Sequence, residues 1–440
     1  MVDKGYMLSE RKRIYLSSPH MGGGELDFIH DAFEKNWIAP LGSNVNGFEE
    51  DLQSYTGRKH AAVITSGTAG IHLALILCGV EAGDEVICQS FTFTATANPI
   101  RYQGASPVFV DSELETWNMD PDLLEEAIVN RLTIGDEGSG SKPKAIIAVH
   151  LYGMPAKMDR ILEIGKKYDI PVIEDSAEAL GSSIDGRMCG TFGKYSVLSF
   201  NGNKIITTSG GGALLGDDEE LISKARFLAT QARDDAPHYQ HSELGYNYRM
   251  SNIVAGIGRG QMKVLDDHVQ LRRENHSFYF DRLGKTWLSD FGRFLPNKVT
   301  TDLPKASPKG VYFLKEPEGY RSNRWLTTIL VNPEETGGVT REDIRIELEK
   351  ENIECRPLWK PMHLQPLYKS APYYSHSLAA KSVSSHSFNG VNSNHESEEK
   401  GPSVCDLLFK YGLCLPSGSN MTDEDRERTV KAIEGVLGII

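Results

Sequence analysis

Three short stretches carry side chains able to do chemistry, and each follows an apolar run. AAVIT (61–65) leads into Ser66-Gly67-Thr68 and a helical pattern. Backbone N–H groups at a helix start, with two hydroxyls beside them, suit a phosphate. PVIE (171–174) leads straight into Asp175 within EDSAEALG. A carboxylate ending a buried strand is costly unless it meets a partner, and a protonated pyridine nitrogen is one such partner. YSVLSF (195–200) leads into Asn201-Gly202-Asn203-Lys204 and then IITTSGGGALL. A lysine desolvated in a loop of this kind can form a Schiff base. Each residue also has an ordinary structural role: Ser66 and Thr68 as helix caps, Asp175 in a cap or ion pair, Lys204 in solvent.

The elements that must position them alternate along the chain. Between residues 60 and 230 the short apolar runs AAVIT, EVIC, PVFV, AIIAV, PVIE, YSVLSF and GALL alternate with helical patterns. Asp120 can cap the helix that begins at Pro121, with Met119 and Leu124 placed as a hydrophobic staple. Met158, Ile161, Leu162 and Tyr168 share one face of the next helix. This pattern predicts an α/β fold with a mostly parallel sheet between helices. Ligands of such a sheet sit at the carboxyl ends of its strands. A phosphate cradle, a strand-end carboxylate and a loop lysine on one sheet edge are what pyridoxal phosphate requires.

Beyond residue 230 the spacing predicts one long helix over 262–285, then a smaller α/β region. Thr340 opens a helix there, and Thr422 with Asp425 opens the last one, with Val430, Ile433 and Leu437 on one face. The expected division is an N-terminal segment (1–45), a large cofactor-binding domain (46–262), and a linking helix with a small C-terminal domain (263–440). GDEGSGSKPK (135–144) and the Ser-, Asn- and His-rich 375–401 read as surface insertions.

With 440 residues and 40% hydrophobic and 24% charged side chains, the composition is globular. The net charge of −13, with no basic patch, argues against a nucleic-acid partner. No apolar run reaches the roughly 20 residues of a membrane span. The start lacks a signal-peptide core, so a soluble cytoplasmic chain is expected. Cys78, Cys88, Cys189, Cys355, Cys405 and Cys414 form no CxxC pair and sit beside no His at zinc-finger spacing. They read as reduced structural thiols, with no metal site.

The stretches NWIAPLGSNVNGFEE, TSGTAGIHLAL, QSFTFTATANPI, DSELETWNMDP, VIEDSAEALGS, SFNGNKIITTSGGG, LGYNYRMSNI and RPLWKPMH resemble the DegT/StrS-type nucleotide-sugar aminotransferases. These are pyridoxal-phosphate enzymes of fold type I, and the resemblance covers nearly the whole chain. It implies a large domain with a seven-stranded, mostly parallel sheet and a smaller C-terminal α/β domain. It further implies that Lys204 forms the Schiff base and shuttles the proton, and that Asp175 keeps the pyridine nitrogen protonated. By the same resemblance Glu178 lies near the cofactor's 3-hydroxyl, Gly67, Thr68 and Ser199 contact its phosphate, and Phe93 stacks on its ring. Asn247 matches a residue reaching the phosphate of the neighbouring subunit, which implies a homodimer with active sites at the interface. Arg249 and His363 match positions around the sugar nucleotide or amino donor; an interface salt bridge or hydrogen bond is the alternative for both.

The implied reaction moves an amino group from L-glutamate to C4 of a UDP-linked 4-keto-6-deoxy-N-acetylhexosamine, as in bacillosamine and exopolysaccharide pathways. The same chemistry on a dTDP- or GDP-sugar stays open. Sugar 3-dehydratases of the same fold resemble this family with His where Lys204 stands. A sensor without turnover is expected to lose Lys204 or Asp175, or to carry a fused partner domain.

Overall fold

The computed structural model describes residues 11–133, 142–289, 294, 307–376 and 402–438. Most of both expected insertions lies outside these residues, including the His-rich tract.

The seven apolar runs become strands β1 (His60–Ile64), β2 (Glu85–Gln89), β3 (Ser106–Val110), β4 (Ala145–Val149), β5 (Val172–Asp175), β6 (Tyr195–Ser199) and β7 (Gly212–Gly216). Further along come β8 (Val311–Phe313), β9 (Thr327–Val331), β10 (Arg356–Pro357), β11 (Tyr373–Tyr374) and β12 (Gly412–Leu415). One sheet runs β1-β7-β6-β5-β4-β2-β3-β11. Pairing is parallel from β6 to β11, and β7 is antiparallel to both its neighbours. The seven expected strands thus gain an eighth, β11, drawn from beyond residue 263.

Both faces of this sheet are buried, which is why its strands are apolar throughout rather than alternating. Val86 and Cys88 join one core cluster with the helices Gly67–Leu77 and Glu219–Ala229. Ile87, between them, points the other way, into the cluster with the helices Pro121–Thr133 and Met158–Tyr168. Asp120 starts the first of these as expected, accepting from Asp122 N–H at 2.9 Å.

The second sheet, β8-β9-β12-β10, is antiparallel. Val311, Phe313, Ile329 and Val331 pack against the helices Arg341–Lys350 and Asp423–Val436. Both helices start with a capping box, Thr340 with Asp343 and Thr422 with Asp425. The opposite face, through Tyr312, Leu330 and Leu358, packs with Phe91, Val149, Leu151 and Tyr152 at the carboxyl edge of the large sheet. Period-2 alternation therefore closes its own core on one side and roofs the sheet edge on the other.

The helix foreseen over 262–285 runs over Leu265–Arg282, and the chain leaves helical geometry at Val264 (φ −117°, ψ 9°), which separates it from a preceding helix, Asn252–Met262. Asp266 and Asp267 then stand in the first turn of the second helix, where its dipole favours negative charge. All six cysteines are unpaired, five of them buried. Among the described residues no helix is long and apolar enough to cross a membrane.

Candidate active site

At the end of β1 the chain extends through Ser66 (φ −168°, ψ 161°), whose hydroxyl accepts from Ala69 N–H at 3.1 Å and caps the helix Gly67–Leu77. The first-turn N–H groups of a helix have no intrahelical acceptor. Those of Gly67 and Thr68 stand at the mouth of a cavity of about 350 Å³ that both residues line. Close approach demands glycine here: a Cβ on Gly212 would lie 2.5 Å from the Ser66 carbonyl carbon. Beside Gly67 the end of β6 brings Ser199 to the same mouth.

Asp175 ends β5 and is 5% exposed. The Thr96 hydroxyl donates to its Oδ2 at 2.7 Å, and Ala177 N–H donates to Oδ1 at 3.2 Å. Burial pushes its carboxyl above the usual range, against these two bonds. Among the described residues no cation stands within ion-pair distance of it. One turn further on, Glu178 accepts from Tyr152 N–H at 2.7 Å and from the Lys204 ammonium at 3.1 Å. Burial dominates here too and pushes the Glu178 carboxyl up to about 7.

Lys204 closes a turn, its N–H donating to Asn201 O at 3.0 Å, and its Nζ lies 4.2 Å from the Trp325 ring centre. The turn is held from outside. Trp325 Nε1 and Ser17 Oγ each donate to Asn203 O at 2.7 Å. The buried Arg272 guanidinium donates to Trp325 O at 2.7 Å, Ser417 O at 3.2 Å, Ser17 Oγ at 3.0 Å and Lys204 O at 3.5 Å. Desolvation pulls Arg272 down to about 9.

Of the residues singled out in the sequence, Ser66, Gly67, Thr68, Phe93, Asp175, Glu178, Ser199 and Lys204 line this one cavity. Ser66 serves as a helix cap as well. Phe93 is 53% exposed and packs against Trp359 at 5.3 Å. Three others stand apart. Asn247 is exposed, in a β-bridge with Thr230. The Arg249 guanidinium is committed to Glu49 at 2.6 Å and Val63 O at 2.9 Å. His363 has both ring nitrogens engaged, by Ser90 Oγ at 2.7 Å and Asp406 Oδ1 at 3.2 Å, and stacks on Tyr373 at 3.8 Å. Thr96, Trp325 and Trp359 line the cavity without having been foreseen, and Tyr152 supports it through its N–H bond to Glu178. Thr96 and Trp359 lie within stretches that carry the resemblance, but neither shows a chemical role of its own until the sheets are assembled, and Trp325 lies outside those stretches.

The donor set fits a pyridoxal phosphate. N–H groups and hydroxyls wait for a phosphate, a buried carboxylate without a cation waits for a pyridinium, and an amine stands on the same cavity. A parallel sheet carrying this set on its carboxyl edge defines a pyridoxal-phosphate-dependent enzyme. Residues 19–389 match the DegT/DnrJ/EryC1/StrS aminotransferase family, and the chain belongs to that family. It is 49% identical to EpsN of Bacillus subtilis (strain 168) over 96% of this chain and 95% of that one. It is 33% identical to a GDP-perosamine synthase of Caulobacter vibrioides over 98% and 100%. Among solved structures it is similar to a family aminotransferase from Brucella abortus (TM-score 0.76, 26% identity, 94% and 95% covered). It is likewise similar to Spr1654 of Streptococcus pneumoniae in a PLP-form (TM-score 0.76, 25% identity, 97% and 99% covered). The chain is a pyridoxal-phosphate-dependent aminotransferase.

Proposed function

We propose that this aminotransferase moves an amino group from L-glutamate to C4 of a UDP-linked 4-keto-6-deoxy-N-acetylhexosamine. The product is a UDP-4-amino-4,6-dideoxy sugar for cell-surface polysaccharide, made in the cytoplasm. The observation that carries this reading is the meeting of Lys204, Asp175 and the Gly67–Thr68 helix mouth on one cavity.

Pyridoxal phosphate, when bound, supplies an electron sink and carries the amino group between the two half-reactions. The residues of the chain do the rest. Ser66, Gly67, Thr68 and Ser199 would hold the phosphate, and Phe93 would cover the ring. Asp175 would keep the ring nitrogen protonated, because a buried carboxylate without a counter-ion strongly favours a cation beside it. Glu178 would serve the 3-hydroxyl. Lys204 would hold the cofactor and, once released, its Nζ would carry a proton from one carbon to another within each half-reaction, in opposite directions in the two. Glu178 3.1 Å away and the Trp325 face orient that amine.

The chain works as a homodimer in this reading, with Asn247 reaching the neighbouring subunit's phosphate. Leu26, Phe33, Trp37, Ile38 and Leu41, exposed in one stretch, supply apolar area for such an interface. Arg249 and His363 are scaffold in the isolated chain, which weakens their assignment to substrate.

A second reading, the same transfer to a GDP-linked keto sugar, is favoured by the GDP-perosamine synthases at 33% and 34% identity. The test mixes the holoenzyme with L-glutamate and, separately, UDP-, dTDP- and GDP-linked 4-keto-6-deoxy sugars, following amino transfer by mass spectrometry. Conversion of the UDP-N-acetyl sugar alone supports the first reading, and conversion of the GDP-sugar alone replaces it with the second.

A further inference from the structure

The cavity offers one anion cradle, the helix mouth at Gly67 and Thr68, and one ammonium, Lys204, which Glu178 engages. The cofactor phosphate takes the cradle. A nucleotide-sugar substrate brings a diphosphate of its own, joined to the sugar across the ring from the keto carbon that must meet Lys204. Its charges therefore need cations outside the cavity, about one sugar ring away.

Two clefts adjoin the cavity at the same pair of rings, because Phe93 and Trp359 line all three spaces. One cleft, about 500 Å³, is walled by Thr92, Thr94, Met362, Leu367 and Tyr368, and among the described residues Lys360 is the cation that lines it. The other, about 470 Å³, holds both Arg356 and Lys360. Its single carboxylate, Glu354, is spent within the protein. Glu354 Oε1 accepts from Arg356 Nε at 3.1 Å and Nη2 at 2.8 Å, and Oε2 accepts from Leu16 N–H at 3.1 Å. That pairing fixes the guanidinium plane, and among the described residues its Nη1 has no partner. Lys360 has no ion-pair partner among the described residues.

The backbone beneath these charges is stiff. Arg356 lies on the edge strand β10, opposite Cys414 of β12, and Pro357 and Pro361 bracket Leu358-Trp359-Lys360. Leu326, Leu358 and Phe409 give the cleft apolar walls. With two cations against one carboxylate the cleft keeps a net positive charge, and low-dielectric walls focus its field on an anion.

We propose that the cleft between Arg356 and Lys360 binds the diphosphate of the nucleotide-sugar substrate, with Trp359 dividing it from the cofactor cavity. This assignment rests on the nucleotide-sugar reading above. An arginine fork beside a flexible ammonium matches two neighbouring phosphates, one by geometry and one as a point charge.

Calorimetric titration of the holoenzyme with UDP, GDP and inorganic pyrophosphate tests it. Arg356→Gln and Lys360→Gln should each weaken binding of the nucleoside diphosphate and of pyrophosphate by about tenfold. The Arg356 side chain is 65% exposed, so its replacement leaves the fold in place. If the wild type binds UDP or GDP and both variants bind within twofold of it, the cleft is misassigned and the nucleotide-sugar reading stands. If the wild type binds neither nucleotide, that reading fails and the assignment falls with it.

Discussion

Glu178→Gln isolates the cost of keeping a carboxyl group in a desolvated slot. Burial raises the Glu178 carboxyl from an ordinary 4.5 to about 7, even with the Lys204 ammonium 3.1 Å away. A group whose folded value exceeds its unfolded value stabilises the protein fully below the unfolded value. That contribution is lost as pH rises through the folded one. The window here runs from about pH 4.5 to about pH 7. At about 1.4 kcal/mol per pH unit, wild type should lose about 3 kcal/mol across it through this one group. The side chain is 4% exposed, so solvent screening takes little from the figure. Glutamine cannot ionise and carries no such slope. The assay is urea unfolding of the cofactor-free wild type and variant at intervals from pH 5 to 8. The variant's stability relative to wild type should rise by about 2–3 kcal/mol over that range. Titrating groups that do not interact with Glu178 cancel in the difference. A difference flat to within about 1 kcal/mol would mean that Glu178 is ionised throughout. The slot beside Lys204 would then be wet, and the desolvated site described here would be wrong.

Lys204→Ala should abolish amino transfer and the Schiff-base absorbance band while leaving the far-ultraviolet circular dichroism unchanged; turnover at the wild-type rate would remove Lys204 from its role. Asp175→Asn removes the anion that favours a protonated ring nitrogen, which weakens the electron sink by about 3 kcal/mol, so kcat should fall by about a hundredfold, and near-normal turnover would place the pyridinium partner elsewhere. Thr96→Val removes the 2.7 Å bond to Asp175 and should cut kcat by about tenfold, with the far-ultraviolet spectrum as a control for folding. Arg272→Met relieves a desolvated guanidinium but orphans acceptors at Ser17, Lys204, Trp325 and Ser417. The orphans should win by about 3 kcal/mol in denaturant unfolding, and a neutral or stabilised variant would refute that balance.

Much of the sheet was legible because its determinants are local. Apolar runs of strand length, the Thr340 and Thr422 capping boxes and the Asp120 start can each be recognised within a few residues. The order of cradle, carboxylate and lysine was legible for a related reason, since each follows its strand directly and parallel strands deliver their ends to one edge. What lay out of reach is what assembly adds. Trp325 and Trp359 reach the cavity only because the second sheet roofs the first, and no period in the sequence records that packing. Arg249 looked available until Glu49, two hundred positions away along the chain, met it at 2.6 Å.

The pair Glu174 and Asp175 shows why residue type alone could not separate scaffold from chemistry. Both are carboxylates, both are buried, and they are adjacent on β5. Successive strand residues face opposite sides, so only one can look toward a given site. Glu174 turns to the far side, where His150 Nε2, Ser176 and Ser196 hydroxyls and the N–H groups of Gly190, Phe192 and Gly193 all bond to it. His150 in turn accepts from Ala156 N–H at 2.9 Å. This knot offsets burial and holds Glu174 at about 2. Asp175 has only Thr96 and Ala177, and burial prevails. The same cost of desolvation is thus settled within the protein at one residue and left for a ligand to settle at the next. Saturation with hydrogen bonds marks the structural carboxylate, and its shortage marks the one that faces the cavity.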